Sequence, residues 1–131
     1  MTDENLWGKL PEYKGLVPPS KILYSQAAML TKLTNSALVG EIRRFTLTSN
    51  IIHYSLRIRV PVLDNYMYEL LDMTQPIDLY PASISAFGTN YTVNNEKELI
   101  IILKKIFSLE KTQKIISALL AQIEDHDPKD Q

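Results

Sequence analysis

A run of alternating apolar and polar residues, from Ile52 to Val60, constrains the fold of this chain most strongly. Ile, Tyr, Leu, Ile and Val occupy the even positions, and His, Ser and two Arg occupy the odd ones. Because successive side chains of a strand point to opposite faces, this pattern is typical of a half-buried strand in an antiparallel sheet. The sequence therefore predicts a sheet with one covered face and one polar face.

The residues before this strand predict a β-hairpin. Ser49 and Asn50 are typical of a two-residue loop, and a loop there determines which residues of the two strands face each other. The facing pairs in this register are Leu47 with Ile52, Phe45 with Tyr54, and Arg44 with Ser55. Gly40 and Arg43 fit the register less well, so a β-bulge near Arg43 is an alternative.

The remaining segments predict helices around a four-stranded meander. A first helix begins at Pro19 or Ser20, since proline is tolerated in a first turn. Strands three and four are predicted at 66–73 and 77–87, with a helix over 67–73 as the alternative for strand three and an edge or a break at Pro81. Two apolar helices follow a capping-box pattern at 95–98, and the last of them either closes the core or forms a dimer seam.

The predicted fold class is therefore α+β, with an N-terminal helix, a four-stranded antiparallel meander sheet and two C-terminal helices packed on one sheet face. The length of 131 residues fits one domain, which we place at residues 20–124. An irregular arm at residues 1–19 precedes the domain, and a polar tail at 125–131, expected to be disordered, follows it. The arm carries the only tryptophan, Trp7, so we expect it to pack on the domain, with binding to a partner as the alternative.

The residues that commonly carry catalysis are few in this sequence. The chain has no cysteine, which excludes disulfides, thiol catalysis and cysteine-ligated metals. Common nucleotide-binding, hydrolase and zinc motifs do not occur in it. Of its two histidines, His53 lies on the polar side of a strand without an evident orienting partner, and His126 lies in the polar tail. We therefore predict no enzyme activity, no metal site and no cofactor.

Carboxylates are the remaining candidates for chemistry. Asp64, Glu69, Asp72 and Asp78 all fall in the predicted sheet region. A pair of them would bind a metal or act as acid and base only if held a few ångströms apart in a cleft. Glu69 and Asp72 point to opposite faces unless a β-bulge intervenes, so an enzyme that depends on carboxylates is the least favoured hypothesis.

Charge is distributed unevenly along the chain, although the net charge is only −1. Residues 21–60 contain six basic residues and one acidic residue, whereas residues 61–78 contain four acidic residues and no basic one. All four arginines lie between positions 43 and 59, and arginine suits both carboxylate and phosphate groups. Neighbouring acidic strands repel phosphate, which favours a protein partner over nucleic acid. Weak cross-strand ion pairs with Glu69, Asp72 or Asp78 are the alternative use of these arginines.

These observations predict a non-enzymatic protein-interaction domain that docks an acidic partner through an Arg- and Tyr-bearing sheet face. The residues predicted to bind the partner are Arg44, His53, Arg57, Arg59, Tyr66 and Tyr68. A nucleic-acid- or nucleotide-binding accessory protein that uses the same arginines is the second hypothesis.

The order of elements is similar to that of small bacterial α+β binding proteins such as toxin-immunity proteins and secretion chaperones, an analogy of architecture that no motif carries. The sequence shows neither a signal-peptide pattern at its N-terminus nor an apolar run long enough to span a membrane. We therefore expect a cytoplasmic protein without a membrane partner. A homodimer is left open.

Overall fold

The computed structural model describes residues 3–48 and 50–125. Within these residues the chain forms one helix, then five strands, then two helices. In chain order these are α1 (Pro19–Leu33), β1 (Val39–Thr48), β2 (Ile51–Val60), β3 (Tyr66–Pro76), β4 (Ala82–Ala86), β5 (Thr89–Val93), α2 (Glu96–Ser108) and α3 (Glu110–Asp125), with a 3-10 turn at Pro61–Leu63. The strands form an antiparallel meander in the order β1-β2-β3-β4-β5. The predicted α+β class and order of elements are confirmed, with five strands instead of four.

Two of the sequence predictions concern residues outside this description. They are the role of Ser49 in the hairpin loop and the disorder of the polar tail, which includes His126. Asp125, predicted to begin that tail, is the last residue of α3.

The sequence analysis does not predict the fifth strand, because the turn between β4 and β5 has an unusual composition. Phe87 and Gly88 form the two-residue loop between β4 and β5, and both have positive φ values, 50° and 78°. Such loops usually contain Asn-Gly or Asp-Gly, because most other residues avoid positive φ. The predicted interruption at Pro81 is confirmed, since β4 begins at Ala82.

The three helices cover one face of the sheet and build a core in two parts. The larger part joins α1 and α2 to strands β2 to β5, and includes Leu23, Met73 and Leu103. The smaller part lies beneath α3 and consists of Leu38, Ile58, Val60 and Leu119. The apolar stripe of α3 thus closes the core, and none of the three helices packs on the opposite face of the sheet.

The backbone of α1 rests directly on β1 because Gly40 has no side chain. A Cβ atom at Gly40 would lie 2.2 Å from the carbonyl oxygen of Ala27, far inside van der Waals contact. The Thr31 hydroxyl accepts a hydrogen bond from the Gly40 N–H at 2.9 Å and donates one to the Ala27 carbonyl at 3.3 Å. The Thr31 side chain therefore links the backbones of helix and strand at this point.

Side chains satisfy the free backbone groups at two helix N-termini. The buried Gln75 of β3 accepts a hydrogen bond from the Ser20 N–H of α1 at 3.1 Å. Asn95 caps α2 by accepting from the Glu98 N–H at 2.9 Å, as the capping-box pattern predicts. The Glu98 carboxylate accepts from the N–H of Asn94, one residue before the expected position.

The N-terminal arm does not pack on the domain, and this contradicts the prediction for Trp7. The exposed fractions of Trp7 and Tyr13 are 84% and 82%. Pro18 is extended, with φ −61° and ψ 146°, and a proline keeps the residue before it extended as well. The arm is thus extended next to α1, and it turns at residues 13–16, where the Leu16 N–H donates to the Tyr13 carbonyl at 3.1 Å, without bringing its aromatic side chains onto the domain.

The base of the arm is held by Tyr80, in the connection between β3 and β4. Its phenol donates a hydrogen bond to the carbonyl of Val17 at 3.4 Å. Burial, and to a lesser extent the nearby carboxylate of Glu96, raise the pKa of Tyr80 above its ordinary value. The phenol thus stays protonated, and able to donate this bond, to a higher pH than a free tyrosine would.

We expect Gly40→Ala to lower the free energy of unfolding by about 1–3 kcal/mol, because the new methyl group forces α1 away from β1. Gly8→Ala is the control, since a Cβ there would meet nothing within 4 Å, and the strain from the positive φ of Gly8, 65°, stays within an arm that does not pack on the domain. Urea denaturation of both variants measures the effect. Equal stability of the Gly40→Ala variant and the wild type would contradict the close helix–strand contact.

Candidate functional site

The uncovered side of the sheet is the candidate site, and we call it the open face. Strands β1, β2 and β3 place alternate residues on it, as their cross-strand pairing shows. These residues are Val39, Glu41, Arg43, Phe45, Ile51, His53, Ser55, Arg57, Arg59, Met67, Glu69, Asp72, Thr74 and Pro76. The face is therefore predominantly polar and carries charges of both signs.

A β-bulge at Leu47 determines which residues of β1 reach the open face. The residue pairs on either side of the bulge are Thr48 with Ile51 and Thr46 with Ile52. The predicted register has no bulge at this point, and it is therefore wrong by one residue along the rest of β1. A shift of one residue moves every side chain of a strand to the opposite face.

The shift exchanges the faces of two arginines. Arg43 pairs with Ser55 and lies on the open face. Arg44 pairs with Tyr54, a core residue, and lies on the helix-covered face, which contradicts its predicted place beside His53. Phe45, predicted to face the core, pairs with His53 and lies on the open face as well.

A second bulge, at Leu70 in β3, brings two carboxylates onto the open face. Glu69 pairs with Arg57 and Asp72 pairs with Ser55, so the extra residue between them restores both side chains to one side. From the sequence, Glu69 and Asp72 point to opposite faces unless a β-bulge lies between them. The bulge at Leu70 is present, so the two carboxylates share a face.

Two cross-strand ion pairs and one hydrogen-bonded histidine–carboxylate pair occupy much of the open face. They join Arg57 Nη2 to Glu69 Oε1 at 2.9 Å, His53 Nε2 to Asp72 Oδ1 at 3.0 Å, and Arg59 Nε to Glu41 Oε1. Three of the predicted partner-binding residues are thus already paired within the chain. These contacts support the alternative use of the arginines, which is cross-strand ion pairing within the sheet.

His53 has an orienting carboxylate, which sequence reasoning did not find because the bulge at Leu70 supplies it. Its ring packs edge-on against Phe45, with centroids 4.3 Å apart and an interplanar angle of 83°. An ionised carboxylate only accepts hydrogen bonds, so His53 Nε2 is the donor to such a carboxylate at Asp72. His53 Nδ1 and the buried Ser55 Oγ each lack a hydrogen-bond partner, so the imidazole does not activate this hydroxyl as a nucleophile.

Arg43 differs from the other arginines of the open face. Within the described part of the chain it makes no ion pair, whereas Arg57 and Arg59 each make one. Its guanidinium lies 5.3 Å from the ring centroid of Phe45, at cation–π distance. Arg43, Phe45 and His53 therefore form a continuous stack from the edge strand β1 onto β2, which we call the edge cluster.

The two tyrosines predicted to bind the partner lie on the other side of the sheet. Tyr66 pairs with Val60 and Tyr68 with Ile58, both core residues. Tyr68 packs against both parts of the core, and Tyr66 lines a shallow depression beside α3. The predicted residues are therefore divided between the two faces and do not form one surface.

The carboxylates proposed for catalysis do not converge. Asp72 lies four residues before the end of β3, and Asp78 lies in the exposed connection beyond it. At about 3.3 Å per strand residue, the strand from Asp72 to Pro76 alone spans about 13 Å, and Asp78 follows in the turn at its far end. Among residues 3–48 and 50–125, no group of three or more metal-ligating side chains is placed to hold a metal ion.

Comparisons with protein families, curated proteins and solved structures find no match to this chain. In the described ranges, the helices are too short or too polar to cross a membrane. Function is therefore inferred from the chain's own geometry.

We expect the ion pairs of the open face to contribute little to stability, because their side chains remain partly exposed. A double-mutant cycle of Arg57→Ala and Glu69→Ala should give a coupling energy of about 0.2–1 kcal/mol that falls as salt screens the charges. Urea denaturation at low and high sodium chloride measures it. A coupling above about 2 kcal/mol that persists at high salt would show that the pair is desolvated instead.

Proposed function

We propose that this chain is a non-enzymatic, cytoplasmic protein-interaction domain that docks an acidic partner on its open face, at the edge cluster. The observation that carries the proposal is the state of Arg43, which lacks an ion-pair partner in the described part of the chain while Arg57 and Arg59 have one. A carboxylate from another protein is the natural complement of such a guanidinium.

The surroundings of Arg43 support protein binding. Arginine and aromatic residues are enriched among the residues that dominate interface energies, and Phe45 and His53 offer rigid contact area beside the charge. The ion pairs around them leave the rest of the face close to neutral. Docking would then depend on charge complementarity at one position, which mainly determines the association rate and specificity.

The edge position of β1 supports the same proposal. This strand is ten residues long and lies at the edge of the sheet. Its N-terminal end is joined to α1 by the hydrogen bond from Gly40 to Thr31, and the backbone beyond Gly40 can accept an added strand. Adjacent positive charges at Arg43 and Arg44 oppose pairing of the edge with a second copy of itself. An acidic strand from a different protein does not meet this repulsion. An immunity- or antitoxin-like inhibitor or a secretion-chaperone-like binder is the concrete form of this function.

A nucleic-acid- or nucleotide-binding role is the second candidate. The observation in its favour is that Arg43 and Arg44 both lack a carboxylate partner in the described ranges. Their side chains lie on opposite faces, however, and the carboxylates of Glu69 and Asp72 on the open face oppose phosphate.

Exchange of a single charge tests the proposal, because Arg43 and its neighbour Arg44 lie on opposite faces. We expect Arg43→Glu to lose a protein captured by the tagged chain from host lysate, and Arg44→Glu, the matched control, to retain it. Nuclease treatment should leave the capture unchanged. Equal behaviour of the two variants would contradict docking at the edge cluster, and capture that nuclease abolishes, with a steep salt dependence, would favour the second candidate.

A further inference from the structure

The N-terminal arm presents apolar side chains to solvent, and the domain does not cover them. Four of them recur every third residue, with exposed fractions of 62–84%. They are Trp7, Leu10, Tyr13 and Leu16. Such a concentration of exposed apolar side chains marks a contact surface rather than the ordinary scatter on a soluble domain.

The helix layer contains an apolar groove next to the base of this arm. Two adjoining cavities share Gln26 of α1 and Phe107 of α2, and together they run along α1. The deeper one is bordered by Met29 and Leu33, both substantially exposed, and its floor includes the core residue Leu56. The groove therefore opens the apolar interior between α1 and the α2–α3 pair to solvent.

The size of the groove suits an aromatic side chain. The deeper cavity has a volume of about 180 Å³ and the shallower one about 110 Å³. Sites for drug-sized ligands occupy roughly 300–1,000 Å³. A cavity of about 150 Å³, by contrast, holds a single benzene ring. The indole of Trp7 or the phenol of Tyr13 is a guest of suitable size and polarity.

We infer that the groove of each chain receives the N-terminal arm of a second copy, so that two chains form a dimer by exchanging their arms. Trp7 and Tyr13 remain exposed on their own chain although the arm turns at residues 13–16, so these two rings are available to a neighbouring chain. Exchange of an identical element is a low-cost route to a symmetric dimer. The dimer uses the helix-covered side and leaves the open face free, so the inference does not depend on the proposed function.

The area available is sufficient for a stable dimer. Each aromatic side chain buries about 150–250 Å². With one of the two rings in the cavity and the other against the exposed side chains at its rim, two arms would bury at most roughly 500–800 Å², since Trp7 and Tyr13 are each more than four-fifths exposed. The grooves lose a similar area, which brings the total to at most about 1,000–1,600 Å² before the leucines are added, close to the range of specific interfaces.

Sedimentation and fluorescence of the full chain test the inference together, because Trp7 is the only tryptophan and its emission reports on the arm alone. We expect the wild type to dimerise as its concentration rises, and the Trp7 emission to shift to shorter wavelength over the same range. Leu33→Asp should raise the dimer dissociation constant at least about tenfold and leave Trp7 exposed. Ile77→Asp is the matched control, since Ile77 is 70% exposed against 75% for Leu33 and lies outside the groove, and it should behave as the wild type.

A mixing experiment distinguishes a damaged groove from a loss of folding in the Leu33→Asp variant. That variant keeps an intact arm, whereas the double variant Trp7→Ser/Tyr13→Ser keeps an intact groove and has no tryptophan. Addition of the double variant should shift the Trp7 emission of the Leu33→Asp chain. A wild type that stays monomeric with exposed Trp7, a dimer that the double variant still forms, or a Trp7 shielded within a monomer would each overturn the inference.

Discussion

Only every second side chain of a strand lies on a given face of the sheet. In this sheet, two single-residue bulges determine which side chains lie on the open face. The bulge at Leu47 places Arg43 and Phe45 on the open face, and the bulge at Leu70 places Glu69 and Asp72 there. Without the first bulge the edge cluster would not exist. Without the second, Glu69 and Asp72 would lie on opposite faces, and one of these two carboxylates would be lost from the open face. The chemistry of the open face thus depends on backbone irregularities that add no charge of their own.

The opposite face depends on a different constraint, the closeness of α1 to β1. At Gly40 the helix backbone lies against the strand, so α1 stays over the first two strands. The pair α2–α3 covers the rest of the sheet, with Thr112 of α3 donating a hydrogen bond to the Ile106 carbonyl of α2 at 2.6 Å. The groove lies between these two helix units. The same arrangement that completes the core therefore leaves an apolar surface open.

Periodicity predicts most of this fold, because hydrophobic patterns span many residues and tolerate local errors. The alternation of β2, the start of α1 at Pro19 and the Asn95 cap are all readable from the sequence. The site is less predictable because it depends on single residues. The bulges have no local signal as strong as a glycine turn, so the prediction assigns Arg44 to the wrong face. The exposed position of Trp7 is not predicted either. Apolar composition indicates that a side chain tends to be buried, but it does not identify the surface that buries it.

The register of the β1–β2 hairpin is the central claim, since the composition of the open face follows from it. Nuclear Overhauser contacts between the two strands measure it directly, because facing residues of antiparallel strands bring either their Hα atoms or their amide protons close together. The structure predicts contacts of Phe45 with His53 and of Arg43 with Ser55. Contacts of Phe45 with Tyr54 and of Arg44 with Ser55 would contradict it, and would return Arg44 to the open face.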